Sequence, residues 1–430
     1  MAAVDIGMST NTFTKDTAVD GQLPSAELTA CSGARLGGRR AAVLLFSYYP
    51  DDNRPRRSAE ALVNEGMQVE LICLRKSKEE RARETFNGVN IRRLPLRRHR
   101  GGPIAYFLQY SAFLLITFFL LATRSLTRRF DLVHVHNMPD FLIFSAAVPK
   151  LLGAKVILDL HDPMPELMMT IFRLEASSSA VRLLKHFERW SIALADTVFT
   201  VNLACKKIFE SRSCRADKLH VVMNSPDENI FAFRSVLPVA RRADQPFVMM
   251  YHGSILERNG LDLAVDALAT IRPALPSAEL RIYGEATPFL ELVLKKAQQA
   301  GVNNAVRYFG ARGPEGIAAV IDECDVGIIP NRRSIFTEIN TPTRIFEYLS
   351  RGKPVIAGRA PGVQDYFAED ALFFFELGNA EDLARIITHV SGHPAEVEDV
   401  ARRGQEVYLA HRWSEERSGL VKKTAELLTQ

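Results

Sequence analysis

Cysteine is scarce. Cys31, Cys73, Cys205, Cys214 and Cys324 are odd in number and scattered, with no C-x-x-C pair. That spacing offers neither a disulfide framework nor a cysteine zinc site and points to a reduced, cytoplasmic compartment. Charge of one sign is also lacking: a net +4 over 430 residues leaves no footprint for nucleic acid. The first forty residues, rich in Ser, Thr, Ala and Gly, hold no apolar h-region. No secretory signal is expected there, and residues 1–38 read as a flexible tail. No internal repeat stands out.

What is abundant is alternation. "RRAAVLLFSYY" (39–49) is a continuous apolar run of the kind that forms a strand buried on both faces. "PRRSAEALVNEG" follows with helical spacing, then the strand "MQVELICLR". The pattern resumes at "FDLVHVHN", "FLIFSAAVPKLLG", "AKVILDLHD", a helix near 176–195 and "DTVFTVN". Residues 234–246 are polar and contain proline, a plausible linker. A second set then runs from "FVMMYHGSI" through "AELRIYGEA", "AVRYFGAR", "CDVGIIP" and "KPVIAG". Two successive βαβ arrays imply an α/β protein with two facing Rossmann-like domains, parallel sheets and a cleft between them. The expected bounds are 39–233 and 246–410. The tail 411–430, with Ser414 as N-cap, is a helix folding back on the first domain.

From Gly101 to Thr123 no residue is charged. About 20 apolar residues suffice to span a bilayer. Topology argues against a full span, because strands before and after it belong to one sheet and would fall on opposite sides of the membrane. A helix over about 103–126 lying in one leaflet avoids the conflict. Its basic flanks, "RRLPLRRHR" before and Arg124, Arg128 and Arg129 after, suit an anionic membrane surface. A buried core helix is the competing reading.

"TEINTPTRIFEYLSRGKPVIAG" (337–358) reads as a helix with Thr341 as N-cap and Pro342 at the first helical position, followed by a buried strand. Arg344 and Glu347 stand three residues apart, so a plain surface ion pair is the simplest account of them.

These pieces, with "HGSI…RNGLDLAVDAL", "LRIYGE" and "RWSEE", resemble the GT-B-fold, family 4 retaining glycosyltransferases over residues 40–425. "HNMPDFLIF", "LDLHDPMPE" and "PTRIFEY" resemble a bacterial subgroup that builds exopolysaccharides or other surface polysaccharides. The resemblance implies transfer of a sugar from a nucleoside-diphosphate sugar to a membrane-borne, polyprenyl-diphosphate-linked saccharide. No cofactor, metal or nucleic acid is expected, and the protein is placed on the inner face of the cytoplasmic membrane. Negative charge grows on the departing diphosphate, which must meet cations and N–H groups. The helix N-terminus, with Asn340, Thr341, Pro342, Thr343 and Arg344, would supply them. Glu347 matches the second Glu of the family's E-x7-E motif, which holds the ribose. The first Glu is displaced: either Glu338 serves through a one-residue shift, or Asn340 or backbone groups do. The family's diphosphate-loop cations are replaced by Ser254 and Asn259, so Arg258 is expected to compensate, with Gly253 admitting the phosphates. Gly284 and Glu285 are further candidates for the donor pocket.

On the acceptor side the resemblance gives His161 a catalytic place against the transferred sugar. Asp162, Glu166, His136 and Asp140 stand near strand ends, where ligands of open α/β sheets collect. Asp52, Asn53 and Arg54, in the first-strand loop "YYPDDNRPRR", are further candidates for contact with the acceptor. His134 and His136 form a His-x-His pair, but no third metal ligand is evident in the sequence. Two rivals remain: a nucleotide-sugar 2-epimerase on the same fold, and a non-catalytic scaffold of polysaccharide assembly.

Overall fold

The computed structural model describes residues 36–98, 103–236 and 245–429. The expected tail, apart from residues 36–38, and most of the expected linker lie outside them, as do the first residues of the charge-free run. The first sheet comprises β1 (Arg40–Leu44), β2 (Gln68–Leu74), β3 (Arg83–Phe86), β4 (Val89–Leu94), β5 (Leu132–His136), β6 (Lys155–Leu160), β7 (Thr197–Thr200) and β8 (Leu219–Val221). Its order is β3-β4-β2-β1-β5-β6-β7-β8, parallel except for the β3–β4 hairpin. The second comprises β9 (Phe247–His252), β10 (Ala278–Tyr283), β11 (Val306–Tyr308), β12 (Val326–Ile329), β13 (Val355–Arg359) and β14 (Phe373–Glu376), ordered β11-β10-β9-β12-β13-β14. Every residue of β9 and β12 is buried, as strands covered by helices on both faces require.

Strand order reverses between β1 and β5 in one sheet and between β9 and β12 in the other. Crossovers leave in opposite directions at those points and open a crevice beyond the strands' carboxyl ends. The two crevices face each other. Asn202 at the end of β7 bridges the lobes, donating to the Ile339 carbonyl at 2.9 Å and the Thr341 hydroxyl at 3.1 Å. The Leu203 N–H donates to the Tyr366 hydroxyl at 2.8 Å. The helix Trp413–Thr429 returns to the first lobe, where Leu420, Val421 and Leu427 pack with Val43 and Leu62. Ser414 lies inside this helix rather than capping it, and its N–H is held by Glu228 at 2.6 Å.

The charge-free run forms the helix Pro103–Thr127. One stripe, Tyr110, Phe113, Thr117, Leu121 and Ser125, is buried at helical spacing. The Thr117 and Ser145 hydroxyls meet there at 2.6 Å. The opposite face carries Phe107, Leu108, Leu115, Phe119 and Leu126, each more than half exposed. Only 22% of its most apolar window is buried, which overturns the reading as a core helix. β4 before it and β5 after it lie in one sheet. Arg124, expected to face the membrane, is instead held by Glu70 at 2.6 Å.

Candidate active site

A cavity of about 650 Å³ occupies the crevice between the lobes. His161, Asp162, Asn53 and Arg54 reach it from the first lobe; Gly253, Ser254, Arg258 and residues 340–344 reach it from the second. These are among the residues singled out from the sequence, gathered from both lobes onto one wall-to-wall space.

The second-lobe wall begins where β9 ends at His252. Gly253 turns at φ +109, a conformation L side chains avoid, and a Cβ there would meet the Arg344 side chain at 3.4 Å. Gly284 lies under this loop: a Cβ on it would come within 2.2 Å of the Gly253 carbonyl. Gly284 therefore supports the loop from behind, and Glu285 is exposed outside the cavity's lining. Asn259 donates to the Ser254 carbonyl at 2.6 Å, fixing the turn that carries Arg258. The Arg258 guanidinium lies over Phe336 and feels the Asp162 carboxylate of the other lobe.

The helix bearing Arg344 spans Thr343–Ser350, with Pro342 at its cap. Thr341 is not the N-cap: its hydroxyl donates to the Gly362 carbonyl instead. A short preceding helix, Ile335–Ile339, displaces the start of the main one. The expected Arg344–Glu347 pair does not form. Arg344 donates to the His252 carbonyl at 2.8 Å and stacks over Tyr251. Glu347 sits one turn deeper, with its carboxylate 3.3 Å from His252 Nε2 and its side chain 18% exposed. Burial pushes the Glu347 carboxyl up to about 7, against the opposing charges of Arg344 and Arg57. Burial, aided by Arg344, pushes His252 down to about 3, so it is neutral. Glu338 points away from the cavity and pairs with Arg333 at 3.0 Å, whereas Asn340 lines it.

The first-lobe wall rests on a buried network that the sequence shows only in part. In the parallel β5–β6 register His136 pairs with Asp159, and His134 lies two residues back on the same face. Asp159 is the third group beside the two histidines, within 4.8 Å of both. The sequence reading of that pair, with no third ligand in view, is corrected here. Arg54 already holds this carboxylate with contacts of 2.7 and 3.1 Å and also donates to the Val222 carbonyl. Burial would raise the Asp159 carboxyl, but Arg54 and the imidazoles override it and hold it well below the usual range. His136 Nδ1 stands 3.3 Å from Asp159 and 3.0 Å from His161 Nε2. Burial lowers His136 to about 4 and His161 well below its usual value, so both are neutral at pH 7. With an ionised acceptor beside it, His136 carries its proton on Nδ1. His161 Nε2 is then the acceptor, which leaves Nδ1–H as its donor. The His161 backbone N–H is pinned by the Asn137 side chain at 2.7 Å.

Two acceptor-side candidates lie elsewhere. Glu166 is buried against Arg212 at 2.6 and 2.9 Å, in a cluster with Glu188. Asp140 is buried beneath the loop, accepting from Asn137 at 2.9 Å. Both hold the lobe together rather than facing the cavity. Asp52, of the same first-strand loop as Asn53 and Arg54, lines the cavity with them; residues the sequence reading passed over include Ser47 and Asn224. They stand at strand ends, a signal that was present but shared with many loops.

The profile of the glycosyl transferase 4-like domain matches residues 53–225, and that of glycosyl transferases group 1 matches residues 246–392. No curated protein matches the sequence. Among solved structures, sucrose-phosphate synthase from Thermosynechococcus elongatus aligns with a TM-score of 0.73 and 17% identity, covering 91% of this chain and 99% of that one. HepE of Anabaena in complex with UDP-glucose aligns with a TM-score of 0.64 and 16% identity over 90% and 99%. WaaG, a glycosyltransferase involved in lipopolysaccharide biosynthesis, gives 0.65 and 15% over 90% and 99%.

Proposed function

With glycosyltransferase profiles matching both lobes, this chain belongs to the GT-B-fold glycosyltransferases, and we propose that it is a family 4-type retaining enzyme. On this reading it moves a sugar from a nucleoside-diphosphate sugar to a polyprenyl-diphosphate-linked saccharide during surface polysaccharide synthesis. The observation that carries the reading is the placement of Arg258, Arg344 and the N-terminus of helix Thr343–Ser350 across one cavity from His161. HepE, a protein of the same fold, holds UDP-glucose.

In the proposed step the diphosphate lies against Arg258, Arg344 and the free N–H groups of the helix. The C1–oxygen bond to phosphate breaks as the acceptor oxygen bonds to C1 on the same face. The acceptor's proton passes to the departing phosphate. His161 Nδ1–H donates to the transferred sugar, and Glu347 accepts from the ribose hydroxyls. A divalent ion is not part of the proposal: two guanidinium groups face the diphosphate, and Asp159 already has Arg54 as its counter-charge.

The lipid-borne acceptor is inferred from the exposed apolar face of helix Pro103–Thr127, with Arg97, Arg98, Arg128 and Arg129 exposed near its ends. The protein would lie on the inner face of the cytoplasmic membrane with that helix in one leaflet. A soluble epimerase has no use for such a face. The test is turnover of a panel of nucleotide sugars with membrane extract as acceptor. Arg258→Ala is expected to lower kcat about 100-fold, as removal of one charge-stabilising donor does. Near wild-type turnover in this variant would defeat the assignment.

A further inference from the structure

A groove of about 410 Å³ opens on the first lobe, away from the cleft. Arg40 and Gln68 line it and begin β1 and β2, so it lies at the amino ends of the strands. The catalytic cavity lies beyond their carboxyl ends. Strand alternation explains why the groove is polar. Ala42, Leu44, Ile72 and Leu94 point from one sheet face into the core shared with Phe113 and Leu121 of helix Pro103–Thr127. Nearer the strand starts, that same face is continued by Arg40, Glu70, Asn90 and Arg92. The face turns from apolar to charged where the helix ends, and Arg124 and Arg128 close the groove there.

Five guanidinium groups converge: Arg40, Arg83, Arg92, Arg124 and Arg128. Of the two carboxylates lining the groove, Glu84 is already held at 2.8 Å by Arg93, which lies outside it. Glu70 is shared by Arg124 at 2.6 Å and Arg92 at 3.5 Å. Among the described residues Arg83 and Arg128 form no ion pair. The Arg40 guanidinium is fixed by the Arg128 and Arg129 carbonyls at 2.7 and 2.9 Å. Burial, then Arg128, lowers Arg40 from its ordinary value; burial, then Arg124 and Arg83, lowers Arg92. Like charges are thus held together with too few counter-charges, a field that a bound anion relieves.

Phosphate suits such a groove, because guanidinium forks meet its oxygens in pairs. Thr85 and Asn90 add a hydroxyl and an amide for a hydroxylated substituent. The source of the phosphate follows from the helix. Leu126, between Arg124 and Arg128 in sequence, belongs to the exposed apolar face. A helix lying in one leaflet puts its flanks at the level of the lipid headgroups, and the groove opens on that flank.

Building on the membrane placement of that helix, we propose that the groove is a headgroup site for one anionic phospholipid. The phosphate lies among Arg83, Arg92 and Arg128, a glycerol-type headgroup meets Thr85 and Asn90, and the acyl chains pass along the exposed helix face. The site is separate from donor and acceptor. A bound headgroup fixes the roll of the protein about its helix, which attraction between scattered arginines and a charged surface leaves free.

The experiment is titration calorimetry of the full chain with dihexanoylphosphatidylglycerol below its micelle-forming concentration, where no charged surface exists. Saturable one-to-one binding is expected. It should weaken about tenfold or more when Arg83→Gln and Arg92→Gln are combined, since charge-assisted hydrogen bonds are lost. It should stay within about twofold when Arg97→Gln and Arg129→Gln are combined, which removes the same charge outside the groove. An unaltered melting temperature shows that each variant folds; should the groove pair unfold, Arg83→Gln alone, at an exposed position, should still weaken binding about threefold. Dihexanoylphosphatidylcholine and glycerol phosphate should each bind about tenfold more weakly than the glycerol lipid. Equal binding of the choline lipid overturns the proposal, and so does equal loss in the two paired variants. Equal binding of glycerol phosphate would give the groove to a soluble ester and likewise overturn it. Flotation with phosphatidylglycerol vesicles separates the premise from the proposal. Wild type that stays in solution refutes the membrane reading, whereas protein that floats without one-to-one binding overturns the headgroup site alone.

Discussion

Replacing Glu347 by glutamine should push stability and ligand binding in opposite directions. The carboxyl is raised to about 7 by burial, so it is largely protonated in the empty protein below that pH. The sign follows directly. A carboxyl raised on folding favours the folded state while protonated, fully so below its unfolded value, and this stability is lost as pH rises to the folded value. Holding Glu347 ionised therefore costs about 2–3 kcal/mol near pH 8, allowing for its partial exposure. Glutamine stays neutral, and the variant should be more stable than wild type at about pH 8 by up to that amount, with the gain shrinking towards pH 5. Donor binding should respond the other way. Hydrogen bonds to a charged group contribute about 1.5–3 kcal/mol, so UDP or GDP affinity should drop about tenfold to a hundredfold in the variant at pH 8. Wild-type affinity should rise about tenfold between pH 6 and 8 as the carboxylate forms, while the variant's stays flat. Urea unfolding and titration calorimetry on the same samples read both quantities. Unchanged nucleotide affinity at pH 8 would refute the ribose role, and a variant less stable at pH 8 than wild type would refute the electrostatic account.

Glu338→Ala should leave turnover near wild type and change stability by only about 0–1 kcal/mol, since its ion pair with Arg333 is exposed; Asn340→Ala should lower turnover instead, and steady-state kinetics on the pair decides which residue serves the donor. Asp159→Asn should destabilise the first lobe by about 3–5 kcal/mol, because it leaves Arg54 buried without its counter-charge. The depressed Asp159 carboxyl stabilises the fold above about pH 4 and loses that effect below it, so an acid titration monitored by circular dichroism should find the variant insensitive to this step. Phe107→Ser with Leu108→Ser and Phe119→Ser should abolish flotation with anionic vesicles, each side chain contributing about 1.5–3 kcal/mol of buried apolar surface. Wild-type protein that stays in solution would remove the membrane from the proposal.

Much of the architecture is legible in one dimension. Apolar runs such as "AAVLL" and "FVMMY" cannot be satisfied except between layers of helices, so two βαβ arrays follow from pattern alone. The charge-free run 101–123 marked a helix by its length, and strands on both sides forbade a crossing. Short-range periodicity sufficed for these, since each depends on neighbours along the chain. Gly253 and Arg258 were singled out differently, through the resemblance of their loop to the diphosphate loop of a known family.

Only tertiary structure decided the rest. Whether helix Pro103–Thr127 is buried or exposed turns on what packs against it, and its composition is the same in both cases. Asp159 looks like an ordinary residue of an apolar strand until parallel pairing sets it beside His136 and brings Arg54 from more than a hundred residues away. Glu166, adjacent in sequence to a cleft-lining stretch, is captured by Arg212 and turned away from the cavity. The physical reason is the range of the forces. Backbone propensity and hydrophobic alternation act over a few residues and are written locally. Burial, ion pairing and the resulting protonation states depend on groups that meet only after the sheets have formed.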